Sequence, residues 1–311
     1  MMDHHSSESV RAASLLTNRL TTPDVAPLTP GEFWKLMARV DPADLVDLDA
    51  AGIAERSRST HDEAVRYRTL LDASTAMTIE QERLLEVGVT LISALDDRFP
   101  AVLRDRLGTA CPPFLLVAGP AEWLDRPGLG VVGSRDAADD ALEAARESAR
   151  MAVGHGWPVV SGLARGVDQV AMMGALDAQG VVLGVPAEGI ERATRNAEVR
   201  RRVQAGELCI ASPYSPTAPF RAGNAMGRNK VVYALSAVTF VVSSDKESGG
   251  TWAGAKEALA RNYAHVAVWA GPGAKDGNQA LIGRGATPIT DVASLFDLEP
   301  NATPPLQERL F

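Results

Sequence analysis

The chain has 311 residues, 46% of them hydrophobic, and a net charge of −8. That length suits one large or two modest domains with a sizeable core. The acidity argues against a broad, uniformly basic nucleic-acid binder, and no apolar run approaches the roughly 20 residues of a membrane helix. Cys111 and Cys209 stand alone without zinc spacing, which argues against a disulfide or a metal site and fits a reducing cytoplasm. The opening MMDHHSSESV has no basic-then-apolar export pattern, so a cytoplasmic location is expected.

Residues 1–28 are rich in Ser, Thr, Asp and Pro, show no sustained period, and read as a flexible arm. Residues 29–90 read as a small helical domain. Apolar residues recur at three- and four-residue intervals through GEFWKLMARV, PADLVDLDAAGIAERS, HDEAVRYRTLLDAS and IEQERLLEVG. From 91 to 296 the pattern changes. VTLISAL and PPFLLVAG are short apolar runs, and strands then alternate with helices: LGVVG, PVVSG, VVLGVP, LCIASPY and AVTFVVS each precede a helical or loop-helix segment, and HVAVWAGP closes the series. Continuous Val/Ile/Leu strands alternating with helices predict a parallel sheet covered on both faces. Residues 297–311 read as a flexible tail ending in a Gln307-x-x-Leu310-Phe311 motif. That spacing is similar to the peptide with which bacterial repair and replication proteins dock on the sliding clamp, Leu310 and Phe311 entering an apolar pocket and Gln307 setting register.

The charge is uneven. Between Leu129 and Thr290 there are 17 Lys and Arg against 15 Asp and Glu, which leaves −10 to the flanks. A basic pocket is therefore compatible with the acidic total. Four strand ends run into Gly/Ser/Arg-rich segments expected to open helices: Gly133-Ser134-Arg135, Ser161-Gly162 with Arg165-Gly166, Gly223-Asn224 with Arg228-Asn229-Lys230, and Ser248-Gly249-Gly250-Thr251. Bare backbone N–H groups at a helix N-terminus favour anions, glycine admits a phosphate closely, and arginine and lysine add charge. One such loop arises from turn geometry alone; four on one sheet edge point to a ligand. No phosphate-loop signature, no well-placed G-x-G-x-x-G and no nucleophile elbow occur, and the five histidines are scattered. No catalytic residue, metal or cofactor is expected. Asp168 reads as a helix cap, His155 as a helix-end residue, and the Arg200-Arg201-Arg202 cluster as the solvated face of a helix, with an extended DNA path as the alternative.

The ordered motifs SGLARGVD, the Ala171–Leu176 continuation, GRNKVVYALS, SGGTWAGAKEAL and GPG…GNQALIGRGA resemble the DNA-processing protein A (DprA/Smf) family. The lead-in GVTLISALDDRFPAVLRDRLGTACPPFLLVAGPAEWL resembles that family too, and the bundle resembles its N-terminal, SAM-like helical domain. The resemblance covers roughly residues 30–290. It implies an extended Rossmann-like α/β domain preceded by a small all-α domain, a homodimer, sequence-independent single-stranded DNA binding and loading of a RecA-type recombinase, without catalytic turnover. The family's GSR arginine falls on Arg135, its SGLA-x-G-D loop on Ser161, Gly162, Gly166 and Asp168, and its RNR tripeptide on Arg228, Asn229 and Lys230. Ala225 and Met226 stand where the family often has phenylalanine and proline, so base stacking there needs Phe220 or Tyr214. Met172 or Met173 replaces a frequent histidine, and Ser243 or Ser244 an acidic residue. Two other readings stay open: a nucleotide-binding sensor or nucleotide-cleaving enzyme of a related Rossmann-like family, and a protein-interaction scaffold.

Overall fold

A computed structural model describes residues 4–300; the Gln307, Leu310 and Phe311 motif lies outside them. The N-terminal region contains helices α1 (His4–Leu16), α2 (Pro30–Met37), α3 (Ala50–Ser57), α4 (His61–Asp72) and α5 (Ser74–Glu86). Three of their starts are written in the sequence. Thr29 with Glu32 and Thr60 with Glu63 form reciprocal capping boxes, and Asp49 caps α3 through the Gly52 N–H at 2.8 Å.

Helix α1 corrects the reading of 1–28 as a flexible arm. Ala12, Ala13, Leu15 and Leu16 are buried against α4 and the short 3-10 turn Pro42–Leu45. Two alanines let the backbones approach closely, which apolar periodicity over one or two turns does not reveal. The return segment is tied down as well, the Leu28 N–H donating to the Leu16 carbonyl at 2.9 Å.

Among the described residues one sheet of nine strands runs through the rest of the chain: β1 (Val89–Ser93), β2 (Phe114–Ala118), β3 (Leu129–Gly133), β4 (Val159–Ser161), β5 (Val182–Gly184), β6 (Leu208–Ser212), β7 (Val238–Ser243), β8 (His265–Trp269) and β9 (Thr287–Ile289). Their order is β1-β2-β6-β5-β4-β3-β7-β8-β9. Strands β6 to β9 in that order are parallel, while β1 pairs antiparallel with β2, and β2 antiparallel with β6.

Side chains alternate between two cores, as the period of two requires. Val131, Val159, Val182, Phe240 and Ala267 face one side, with α7 (Asp139–Gly154) and α8 (Val167–Asp177). Val132, Val160, Leu183, Val241 and Val268 face the other, with α11 (Ala222–Leu235) and α12 (Gly249–Arg261), following α6 (Ala101–Leu107), α9 (Ile190–Ala193) and α10 (Ala197–Gln204) in chain order. The helical region shares this second core. Trp34 Nε1 donates to the Cys111 carbonyl at 2.8 Å, and Arg106 Nη1 to that of Ser236 at 2.5 Å, fastening the lead-in segment to the helical region on one side and to the sheet domain on the other. Helix α13 (Asp276–Ile282) packs against β7, β8 and α12. No helix among the described residues is long and apolar enough to cross a membrane.

Candidate nucleic-acid interface

Strands β3 and β7 are neighbours, yet the chain leaves β3 toward β4 on one side and leaves β7 toward β8 on the other. A crevice opens outside the carboxyl ends at such a reversal, the place where open α/β sheets bind ligands. Here it is a cleft of about 480 Å³. Gly133, Ser134 and Arg135 form one wall, following β3, and Ser248, Gly249, Gly250 and Thr251 the opposite one. The β3 exit is pinned to β7 by the Ser134 N–H, which donates to the Ser243 carbonyl at 2.8 Å.

The third wall is α11. The segment Gly223–Lys230, read from the sequence as a loop opening a helix, is itself helical from Ala222. Its residues therefore divide between faces. Ala222, Ala225, Met226, Arg228 and Asn229 line the cleft, whereas Asn224 and Lys230 line a different groove and Gly223 lines neither. Two residues apart on a helix means about 200° of rotation, which is why Arg228 and Lys230 do not converge. Lys230 instead pairs with Glu257 of α12 at 3.0 Å. Asn229 braces the wall, its Nδ2 donating to the Gly250 carbonyl at 3.0 Å.

The Ser161–Gly166 loop forms the foundation more than the surface. Ser161 is buried and donates to the Val131 carbonyl at 2.8 Å; Arg165 is exposed and lies outside the cleft lining. Gly166 has φ +80°, and a Cβ there would stand 2.7 Å from the backbone of Ser134 and Arg135, so glycine lets two loops touch. Gly162 serves Arg228: a Cβ at 162 would fall on the guanidinium. Asp168 does not cap its own helix. Its carboxylate accepts the Gly162 N–H at 3.0 Å and lies 3.6 Å from Arg228 Nη1, fastening the loop from behind. Both members of the pair are buried. Burial pushes the Asp168 carboxyl up and the Arg228 guanidinium down, and their mutual attraction opposes each shift. Arg228 Nε and the buried Tyr233 hydroxyl find no hydrogen-bond partner among the described residues.

The charges in the cleft are largely answered from within. Asp168 faces Arg228, and Lys275, a residue that no sequence motif marks, reaches in to contact Asp245 at 2.8 Å and Ser134 Oγ at 3.2 Å. Arg135 is exposed and has no ion pair among the described residues. The remaining positive potential comes from backbone. Helices α11 and α12 both begin at the cleft, and no side chain caps either first turn, leaving N–H donors and the positive dipole end available. Phe220, 55% exposed, lines the cleft at the start of α11. Of the two aromatic residues expected to offer a stacking face, Phe220 is thus in the cleft, while Tyr214 faces the other groove. His155 ends α7 and stacks on Phe296, with ring centroids 4.2 Å apart. Arg201 and Arg202 pair with Glu198, the pattern of a solvated face.

Comparison with known proteins agrees with this architecture. The family model for DNA recombination-mediator protein A matches residues 90–299. The Synechocystis protein Smf is 28% identical over 144 residues, 44% of this chain but only 36% of that protein. The structure of DNA processing protein A from Streptococcus pneumoniae superposes with a TM-score of 0.64 at 21% identity, covering 88% of this chain and 99% of that one. The Helicobacter pylori DNA processing protein A, described for its single-stranded DNA binding mode, gives 0.56 at 20% identity over 67% of this chain and 94% of that one. With the family model spanning most of its length, this chain belongs to the DNA recombination-mediator protein A (DprA/Smf) family.

Proposed function

We propose that this chain binds single-stranded DNA without sequence preference at the switch-point cleft and acts, without turnover, as a recombination mediator that hands the strand to a RecA-type recombinase. The observation that carries this is the meeting of two uncapped helix N-termini, the free Arg135 and the exposed Phe220 ring around one cleft. Backbone donors and a guanidinium suit phosphate, and an aromatic face suits any base, since stacking does not read identity. The single-stranded DNA binding described for the Helicobacter pylori relative supports the same ligand. Among the described residues no histidine lines the cleft, and Asp168 sits behind Arg228, an arrangement suited to holding a strand. Membership of the family supports a homodimer as the working unit.

The test is fluorescence anisotropy with labelled oligo-dT, using the native chain, Arg135→Ala and Phe220→Ala, with dTMP as competitor. The native chain binds the oligomer, both variants bind it more weakly while their circular dichroism is unchanged, and dTMP competes poorly. Tight binding of dTMP with no gain from a longer strand would instead favour the nucleotide-sensor reading.

A further inference from the structure

A larger groove, of about 850 Å³, lies on the other side of α11 from the cleft. Its walls are the return segment Asn18–Gly31, the stretch from Leu107 to Pro113 and the loop from Pro213 to Arg221 that follows β6. The floor is α11 itself. Arg221, Asn224, Gly227 and Lys230 recur at three-residue spacing along one side of that helix, while Ala222, Ala225, Met226 and Asn229 face the cleft. Phe220 and Arg221 are consecutive, so the ridge between the two concavities carries a ring on the cleft side and a guanidinium on the groove side.

We propose that this groove is a second segment of the same single-strand path, receiving the nucleotides that continue past Phe220. The inference rests on the cleft binding single-stranded DNA. Three observations favour nucleic acid over a peptide. The charged lining is Arg19, Arg221 and Lys230 against Asp24; Lys230 is answered by Glu257 at 3.0 Å, and exposed Arg221, with no ion pair among the described residues, is left to meet a polyanion. Seven lining residues are prolines, which offer no N–H to an extended peptide backbone. Tyr214 is the one aromatic residue in the lining, too few for polyproline recognition but enough to stack a base. Its ring is held in place, the hydroxyl donating to the Asn224 carbonyl at 2.5 Å. A Cβ on Gly227 would stand 2.8 Å from that hydroxyl, so the bare glycine is what lets the ring sit on the helix.

The experiment is anisotropy with oligo-dT of about 4 to about 16 nucleotides, on the native chain and Arg221→Glu, together with photo-crosslinking of thymine-analogue oligomers. Arg221 is exposed, so its replacement leaves the fold intact. Affinity of the native chain rises with length, and Arg221→Glu flattens that rise. Its salt slope on the longest oligomer falls by about 0.7 for each phosphate that the variant no longer neutralises. Crosslinks on long oligomers reach Tyr214 as well as Phe220, and those on the shortest reach Phe220 alone. Identical length dependence in the two proteins, or long-oligomer crosslinks that never reach Tyr214, overturns the groove while leaving the cleft in place. Native affinity that is already maximal on the shortest strand also overturns it and leaves the groove to a protein segment. No binding at any length overturns both.

Discussion

Replacing Arg228 by methionine removes one member of a buried ion pair and leaves the other stranded. At the 3.6 Å separation of Arg228 Nη1 and Asp168 Oδ2, the attraction is about 4–5 kcal/mol for an effective dielectric of about 20. Burial opposes it at both groups, so the pair's net contribution is small. Breaking it is another matter, because Asp168 then stays buried and charged, at a cost of about 3–5 kcal/mol. Replacing both residues, as Arg228→Met with Asp168→Asn, removes the stranded charge and recovers most of that loss. The pH dependence has a definite sign. A carboxyl whose folded pKa is raised contributes stability that is fully present below its unfolded value and is lost as pH rises through the folded one. The Arg228→Met defect is therefore largest at neutral pH and shrinks on acidification. Urea denaturation of the native chain, both single variants and the double variant, at neutral and mildly acidic pH, reads each quantity. A loss under about 1 kcal/mol for Arg228→Met, or a double variant whose loss equals the sum of the singles, would refute the reasoning.

Phe220→Ala lowers oligo-dT affinity by about 1–3 kcal/mol while leaving the thermal midpoint nearly unchanged, since the ring is 55% exposed; Phe220→Trp retains binding. Gly166→Ala combines a φ of +80° with a contact 2.7 Å from the Ser134–Arg135 backbone, costs about 1–3 kcal/mol, and reduces DNA binding because it moves Arg135; thermal melts and anisotropy read both. The clamp-docking expectation for Gln307, Leu310 and Phe311 is tested by calorimetry of the host sliding clamp with the native chain and with a chain lacking 307–311: binding that is lost on deletion supports it, no binding by the native chain or equal binding by both removes it, and oligo-dT binding stays intact.

The parallel strands were legible because both faces of the sheet are covered, so β3 to β8 each appear as unbroken apolar runs. Strand β9 was not, being three residues at an edge and containing Pro288. An apolar run carries no direction, and the antiparallel pairing of β1, β2 and β6 became visible only with the structure. Helix α13 was hidden because its glycine and polar start read as a loop; its Asn278 is buried and bridges Ser244, Val242 and Trp269. Of the glycine-rich strand ends, those with Arg135 and with Gly249–Thr251, the first residues of α12, line the cleft. The division between Arg228 and Lys230 depended on knowing that α11 begins at Ala222. The Lys275 side chain and the Phe220 ring enter from loops whose course no local pattern specifies.

In the proposed binding mode the switch-point cleft holds a DNA strand chiefly through backbone dipoles, Arg135 and the stacked Phe220 ring. The direct measurement is the salt dependence of oligo-dT affinity for the shortest strand that binds, compared between the native chain and Arg135→Ala. With internal cations answered by Asp168 and Asp245, this binding mode predicts a shallow slope, about −0.7 to −1.4 in log affinity against log salt, that of one or two phosphates. It also predicts that Arg135→Ala removes about 0.7 of it. A steep slope on this short strand, or one that Arg135→Ala leaves unchanged, would contradict the account.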